Sequence, residues 1–311
     1  VLAAAVFLAA SAAQACDTPV FRYAMYNWAT SPYWVFYLHS GEEAEEDQKT
    51  NKFIEDLASP QEGAATNILL ERMDVSKEET LERLPGVVKE AWQSYKEGAT
   101  PAHVVIAPWG AKLFVGRLDE PAIRAMIESP ARTRLGELLN EGNAAVMLFL
   151  SGSKAEENQK AEDALKDLTT RITGGEIPLI SEFDDPVPTG LMPPETLDGK
   201  AEAQDAEAAE EKPGGLKVAV LKIDRSDKAE AWFVRTLMAV EPDLGEYVEE
   251  PMIFAGYGRG RAMEPYIGKG ITGDNLIDVV AFLAGACSCQ VKEQNPGADL
   301  LMRWDWEKTA D

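Results

Sequence analysis

Two periodicities alternate along this chain. Short apolar runs recur between longer stretches in which apolar side chains fall three and four residues apart, which predicts strands alternating with amphipathic helices and hence an α/β protein. Residues 20–26 and 33–39 are the first two runs, and both predict strands. Residues 42–59 predict a helix with an acidic start and an inward side formed by Phe53, Ile54 and Leu57. Residues 66–75 predict a strand and 85–96 a helix. Thr100-Pro101 then leads into a hairpin, 102–107 and 112–118, turned at Pro108-Trp109-Gly110. Residues 119–140 predict helix, interrupted at Ser129-Pro130.

The same order then recurs. Residues 144–150 predict a strand, and 154–172 a helix whose Ala161, Leu165, Leu168 and Ile172 share one face. Residues 216–224 predict a strand and 228–240 a helix. Glu250-Pro251 opens a second hairpin, 252–257 and 262–267, and 274–284 predicts a closing helix. Two copies of one topology account for this order. The second copy carries an insertion, 184–215, with Pro186, Pro188, Pro193, Pro194 and Pro213 and an acidic, Ala-rich run over 200–212. Low hydrophobicity, proline and like charge predict a solvated, disordered or extended loop there.

Composition narrows the function classes. The 311 residues hold 30 Lys+Arg against 53 Asp+Glu, a net charge of −23, with 45% hydrophobic residues. Such a surface repels phosphate backbones and anionic headgroups, so nucleic acid is not an expected partner. Residues 1–15, VLAAAVFLAASAAQA, form an uncharged apolar run ending in Ala13-Gln14-Ala15, the small-x-small pattern of a signal-peptide cleavage site. With no initiator Met or basic n-region, the chain is expected to begin inside that signal, and the mature protein to be extracytoplasmic, periplasmic or secreted, and bacterial.

Cys16 follows that site directly. As the end of a degenerate lipobox it would be lipidated, which is the one expected route to a membrane surface. The other cysteines are Cys287 and Cys289. In an oxidising compartment, either Cys16 is lipidated and Cys287 closes on Cys289, or Cys16 bonds one of them and one thiol is left over.

Strand, helix, strand, helix, then a proline directly before a β-hairpin and a closing helix resembles the thioredoxin-like superfamily, over roughly 20–140 and 144–284. The resemblance implies two tandem thioredoxin-like α/β/α domains, 16–142 and 143–290, followed by a tail, 291–311. It also implies that Pro101 and Pro251 occupy the place of the family's cis-proline. The departure is that the family's Cys-x-x-Cys positions read His39-Ser40-Gly41-Glu42-Glu43 and Ser151-Gly152-Ser153-Lys154-Ala155, with no cysteine. The acidic first turn at Glu42–Asp47 would also raise the pKa of any neighbouring thiol.

Other chemistry is sparse. His39 and His103 are the only histidines and are candidates for a metal or acid–base cluster near Glu42 and Glu43, against unrelated strand histidines with backbone partners. The acidic turn itself could attract Ca²⁺ but has no ligand loop. Gly256-Tyr257-Gly258-Arg259-Gly260-Arg261 predicts a turn needing positive φ rather than a phosphate cradle, with Arg259 and Arg261 as a basic tip for an anionic partner. Cys287 and Cys289 could form a reducible disulfide or bind a soft metal. Trp304 and Trp306 are either a partner site or a tail docked on its own fold. The expectation is a non-catalytic binding or scaffold protein with an unidentified protein partner and no cofactor. The rival is a thiol–disulfide exchange or metal-handling protein using Cys287 and Cys289.

Overall fold

The structure, a computed structural model, describes residues 18–60, 63–176 and 215–308. Residues 1–15, Cys16 and the insertion read at 184–215, Gly215 excepted, lie outside the described residues. Two mixed α/β sheets form. The first runs in the order β2-β1-β3-β4, built from β1 (Tyr33–His39), β2 (Ile68–Asp74), β3 (Ala102–Ile106) and β4 (Lys112–Gly116). β1 pairs parallel with β2 and antiparallel with β3, and β3 antiparallel with β4. Alternation along β1 sends Tyr33 and Val35 toward α2 (Glu45–Ala58) and α5 (Glu120–Ile127), and Phe36 and Leu38 toward α4 (Gly86–Ser94). A short α3 (Glu78–Arg83) precedes α4.

The second sheet repeats this plan. β5 (Ala145–Leu150) pairs parallel with β6 (Val218–Ile223) and antiparallel with β7 (Met252–Tyr257). The returning arm is split into β8 (Arg261–Ala262) and β9 (Tyr266–Ile267), both paired with β7, where one strand is expected. β10 (Ala298–Asp299) adds to β8. One face carries α7 (Ala155–Thr173) and α9 (Gly273–Ala284), and the other carries α8 (Ala231–Leu237).

One element differs in kind from its expectation. Residues 20–26 are not a strand but the start of α1 (Val20–Asn27), with Val20, Ala24 and Met25 buried. The run is short and aromatic, so its apolar content alone fits either period; tertiary contact with α9 and β7 decides for helix.

The chain also interleaves the two sheets. α1 packs into the second sheet's core through Val20, Ala24 and Trp28. α6 (Pro130–Asn140), which precedes the boundary expected at 142, contacts β5 and β6 rather than the first sheet. The final segment returns between the sheets: Leu301 lies in the first sheet's core, while Leu300 and Met302 lie in the second's. Asn67 fixes this strap, its Nδ2 donating to Leu300 O at 3.1 Å and its Oδ1 accepting from Met302 N at 3.0 Å. Arg132 Nε donates to Leu301 O at 2.8 Å, and Tyr33 Oη to Asp299 O at 2.8 Å.

Asp299 is 3% exposed and forms a bidentate pair with Arg261, both contacts 2.9 Å. Removing one partner of a buried ion pair strands the other charge. Asp299→Ala is therefore expected to lower unfolding free energy by about 3–5 kcal/mol in urea titration, a loss within about 0.5 kcal/mol of zero counting against the pair as the anchor.

Candidate functional site

The two turns where the family resemblance would put a dithiol are closed by their own hydrogen bonds. In the first, His39 Nδ1–H donates to Gly41 O at 2.7 Å, and Gly41 N donates to Asp74 Oδ1 at 3.3 Å. Hydrogen bonds from Ser76 and Gly41 hold the Asp74 carboxyl down at about 2, Ser76 contributing most. In the second, Asn158 brackets Gly152, accepting from its N–H at 2.8 Å and donating to its carbonyl at 2.9 Å. The Glu249 carbonyl fills the space beside Gly152, where a Cβ would lie 2.1 Å from it. The Thr100–Pro101 bond is cis. Pro251 follows a trans bond, with the Glu250 carbonyl held by Arg225 at 3.1 Å.

His39 and His103 do not converge. Tyr37 stands between them, its ring centroid 5.4 Å from His39 and 5.0 Å from His103. His103 is fully buried with both nitrogens engaged: Nδ1 accepts from Leu118 N at 3.1 Å, so Nε2 carries the proton and donates to Asn51 Oδ1 at 3.2 Å. Asn51 in turn donates to Glu43, which pairs with Arg72. Beside this chain Asp47, also buried, accepts from Arg117. The acidic helix start is thus partly folded inward as a satisfied polar network. Among the described residues no three His, Cys, Asp or Glu side chains come together to hold a metal ion. Of the two readings of the histidines, the structure fits the unrelated pair, with His103 a neutral structural histidine.

The other expected sites are also spent internally. Arg261 is buried against Asp299, and Arg259 donates to Met25 O at 2.6 Å, so the turn is not a basic tip. Gly258 and Gly260 do adopt positive φ, +55° and +78°. Trp304 lies on Gly136, where a Cβ would come within 2.3 Å of its ring, and Trp306 packs beside Gly260; both indoles dock on the fold. Cys287 is buried and Cys289 exposed at the start of α10 (Cys289–Gln294), with no disulfide among the described residues.

An open surface on the first sheet was not legible in the sequence. On the α4 face of β1 and β2, Trp34 is 36% and Leu69 39% exposed. Trp34 stacks on Phe36 at 6.0 Å between centroids and lines a groove of about 350 Å³ with Met73, Ile106 and Pro108. Glu71 and Arg83 supply its polar rim. β2 is one of the two outer strands of this sheet among the described residues. The segment is aromatic or aliphatic from Tyr33 to Leu38, so no polar alternation marks Trp34 as outward-facing.

Burial pushes the His103 ring down to about 4 from 6.5, opposed by Asp47. Between those values the unfolded chain binds a proton that the folded chain does not. The stability due to the neutral ring is therefore complete above pH 6.5 and is lost as pH falls toward 4. Wild type should lose about 2–3 kcal/mol more than His103→Gln between pH 7 and pH 4.5 in denaturant titrations; parallel profiles would place the titration elsewhere.

Among the described residues no helix is long and apolar enough to cross a membrane. Compared with known proteins, the chain matches no family model, no curated protein and no solved structure.

Proposed function

We propose that the chain is a tandem thioredoxin-like protein of an extracytoplasmic compartment that works by binding, as a scaffold or adaptor, without redox catalysis. The strand order β2-β1-β3-β4 and its counterpart β6-β5-β7 with the split β8 and β9 support the tandem thioredoxin-like assignment. The signal-like residues 1–15 support the compartment. The observation that carries the binding role is the contrast between the polar groups bonded within the fold and the open groove at Trp34, with the exposed Leu69 paired beside it. Clustered exposed apolar side chains with a polar rim mark an interaction surface. The protein should enrich binders from a displayed random peptide library, and Trp34→Ala should weaken the selected binders at least tenfold while leaving the thermal midpoint within about 2 °C. Selected binders indifferent to Trp34→Ala, or turnover of a dithiol–disulfide substrate, would overturn this reading.

The cysteines serve as a staple in this reading. Cys287 N–H donates to Thr18 O at 2.9 Å, and Pro19 pairs antiparallel with Ala286. Cys16 is two residues before Thr18, and two extended residues span about 7 Å, which keeps it within reach of Cys287 and Cys289. Its thiol and one of theirs lose two protons and two electrons to a disulfide-bearing oxidant, which leaves as a dithiol. Unreduced peptide mass spectrometry of protein exported to an oxidising compartment should find Cys16 linked to Cys287 or Cys289. A Cys287–Cys289 link, a lipid on Cys16, or three free thiols would each contradict the staple.

A further inference from the structure

The repeat itself identifies what fits the groove. Matching the two sheets strand by strand, Leu38 opposes Ala102 just after Pro101, and Leu150 opposes Met252 just after Pro251. Leu38 therefore corresponds to Leu150, Phe36 to Leu148 and Trp34 to Val146. On the neighbouring strands Leu69 corresponds to Ala219, and Ile106 to Gly256, because each pairs with the matched residue of the central strand. In the second sheet this patch is covered. α6 lies across β5 and β6 there, with Leu135, Leu138 and Leu139 in one core with Val146, Leu148 and Leu150. Leu135 sits directly on Gly256, its Cδ1 3.2 Å from where a Cβ would be, and Val146 is fully buried. In the first sheet α4 contacts β3 and β4 and covers Phe36, Leu38 and Met73 through Val88 and Ala91, leaving only the Trp34–Leu69 end of β1 and β2 open. The groove is the α6 slot without its helix.

We infer that this slot docks an amphipathic α-helix of a partner protein, an inference that rests on the binding role proposed above. The side chains set the complement. Trp34 and Ile106 are large where Val146 and Gly256 are smaller, so they already occupy the space that Leu135 fills in the second sheet. A helix seated at the same height needs a small residue, Ala, Gly or Ser, opposite Trp34. Its other apolar residues, one turn to either side, would rest on Leu69 and Met73. Net charge of −23 favours Lys and Arg on the flanks of such a helix. α6 follows the same pattern, with Ala131, Leu135, Leu138 and Leu139 inward, and Arg134 exposed on the outer side, where it pairs with Glu137 and Glu141.

Two libraries displayed in parallel on the full chain test this. One varies the exposed face of a single stable helix, and the other is a set of proline-punctuated extended peptides. The helical library should yield clones with a small residue at the centre of an apolar i, i+3/i+4, i+7 stripe and basic flanks. Trp34→Asp and Leu69→Asp should each weaken them at least tenfold, while Trp34→Val should shift selection toward a larger central residue, as Leu135 is over Gly256. Enrichment of extended peptides that respond to Trp34→Asp would overturn the helix and leave the groove as a binding surface. Helical clones indifferent to both Asp variants, or no enrichment from either library, would overturn the helix and the binding role together. Far-UV circular dichroism and the thermal midpoint of each variant, both expected to match wild type, separate lost docking from lost folding.

Discussion

Arg261 and Asp299 are the pair on which the arrangement of the two sheets depends. A buried ion pair adds less stability than its attraction suggests, because desolvation offsets much of it. What this one fixes is position. The planar fork of Arg261 donates five hydrogen bonds: two to Asp299 and one each to the carbonyls of Asn295, Pro296 and Gly297. Those acceptors coincide with the fork only when the C-terminal segment lies between the sheets, which delivers Leu301 to one core and Leu300 and Met302 to the other. Ser31 N and Tyr33 Oη then bind the same aspartate from the first sheet's side. Trp109 adds a second tie, its indole N–H donating to Ala239 O at 2.6 Å.

Because the strap and α1 cross between halves, neither sheet's core is complete from one contiguous stretch of sequence. α6 is the clearest case. It follows α5 in the chain, yet its leucines are needed under β5 and β6, so the first sheet has no counterpart of α6 over Trp34. The asymmetry between otherwise matching halves is thus a consequence of where the linking helix packs. Trp34 and Ile106, bulkier than Val146 and Gly256, partly shield a face that would otherwise lie bare.

The strands, main helices and their repeat were legible because β1, β5 and β7 are short, continuous and apolar, while α2 and α7 carry clear helical stripes. What was not legible depends on distant partners. Residues 20–27 are helical because α9 and β7 receive them. Arg259 and Arg261 suggest a basic tip until Met25 and Asp299 are brought to them by packing. The paired histidines invite a metal until Tyr37 is found between them and Leu118 N–H on His103. The open face at Trp34 has no local signature at all, since a strand under a helix and a strand lacking one use the same apolar residues.

These outcomes share one direction. His103, Arg259 and Arg261, singled out from sequence as chemical, are bonded within the fold, whereas Trp34 and Leu69, passed over as core, are left partly exposed. A catalytic site needs the opposite: polar groups held short of full satisfaction so that substrate or transition state completes them. The His103–Asn51–Glu43–Arg72 chain is complete without a ligand, and so is the Arg261 fork. Trp34 and Leu69 are among the exposed apolar groups that gain by being covered, at roughly 25 cal/mol for each Å² removed from water. The binding role proposed for this molecule rests on that free energy, gained by covering the Trp34–Leu69 end of the first sheet.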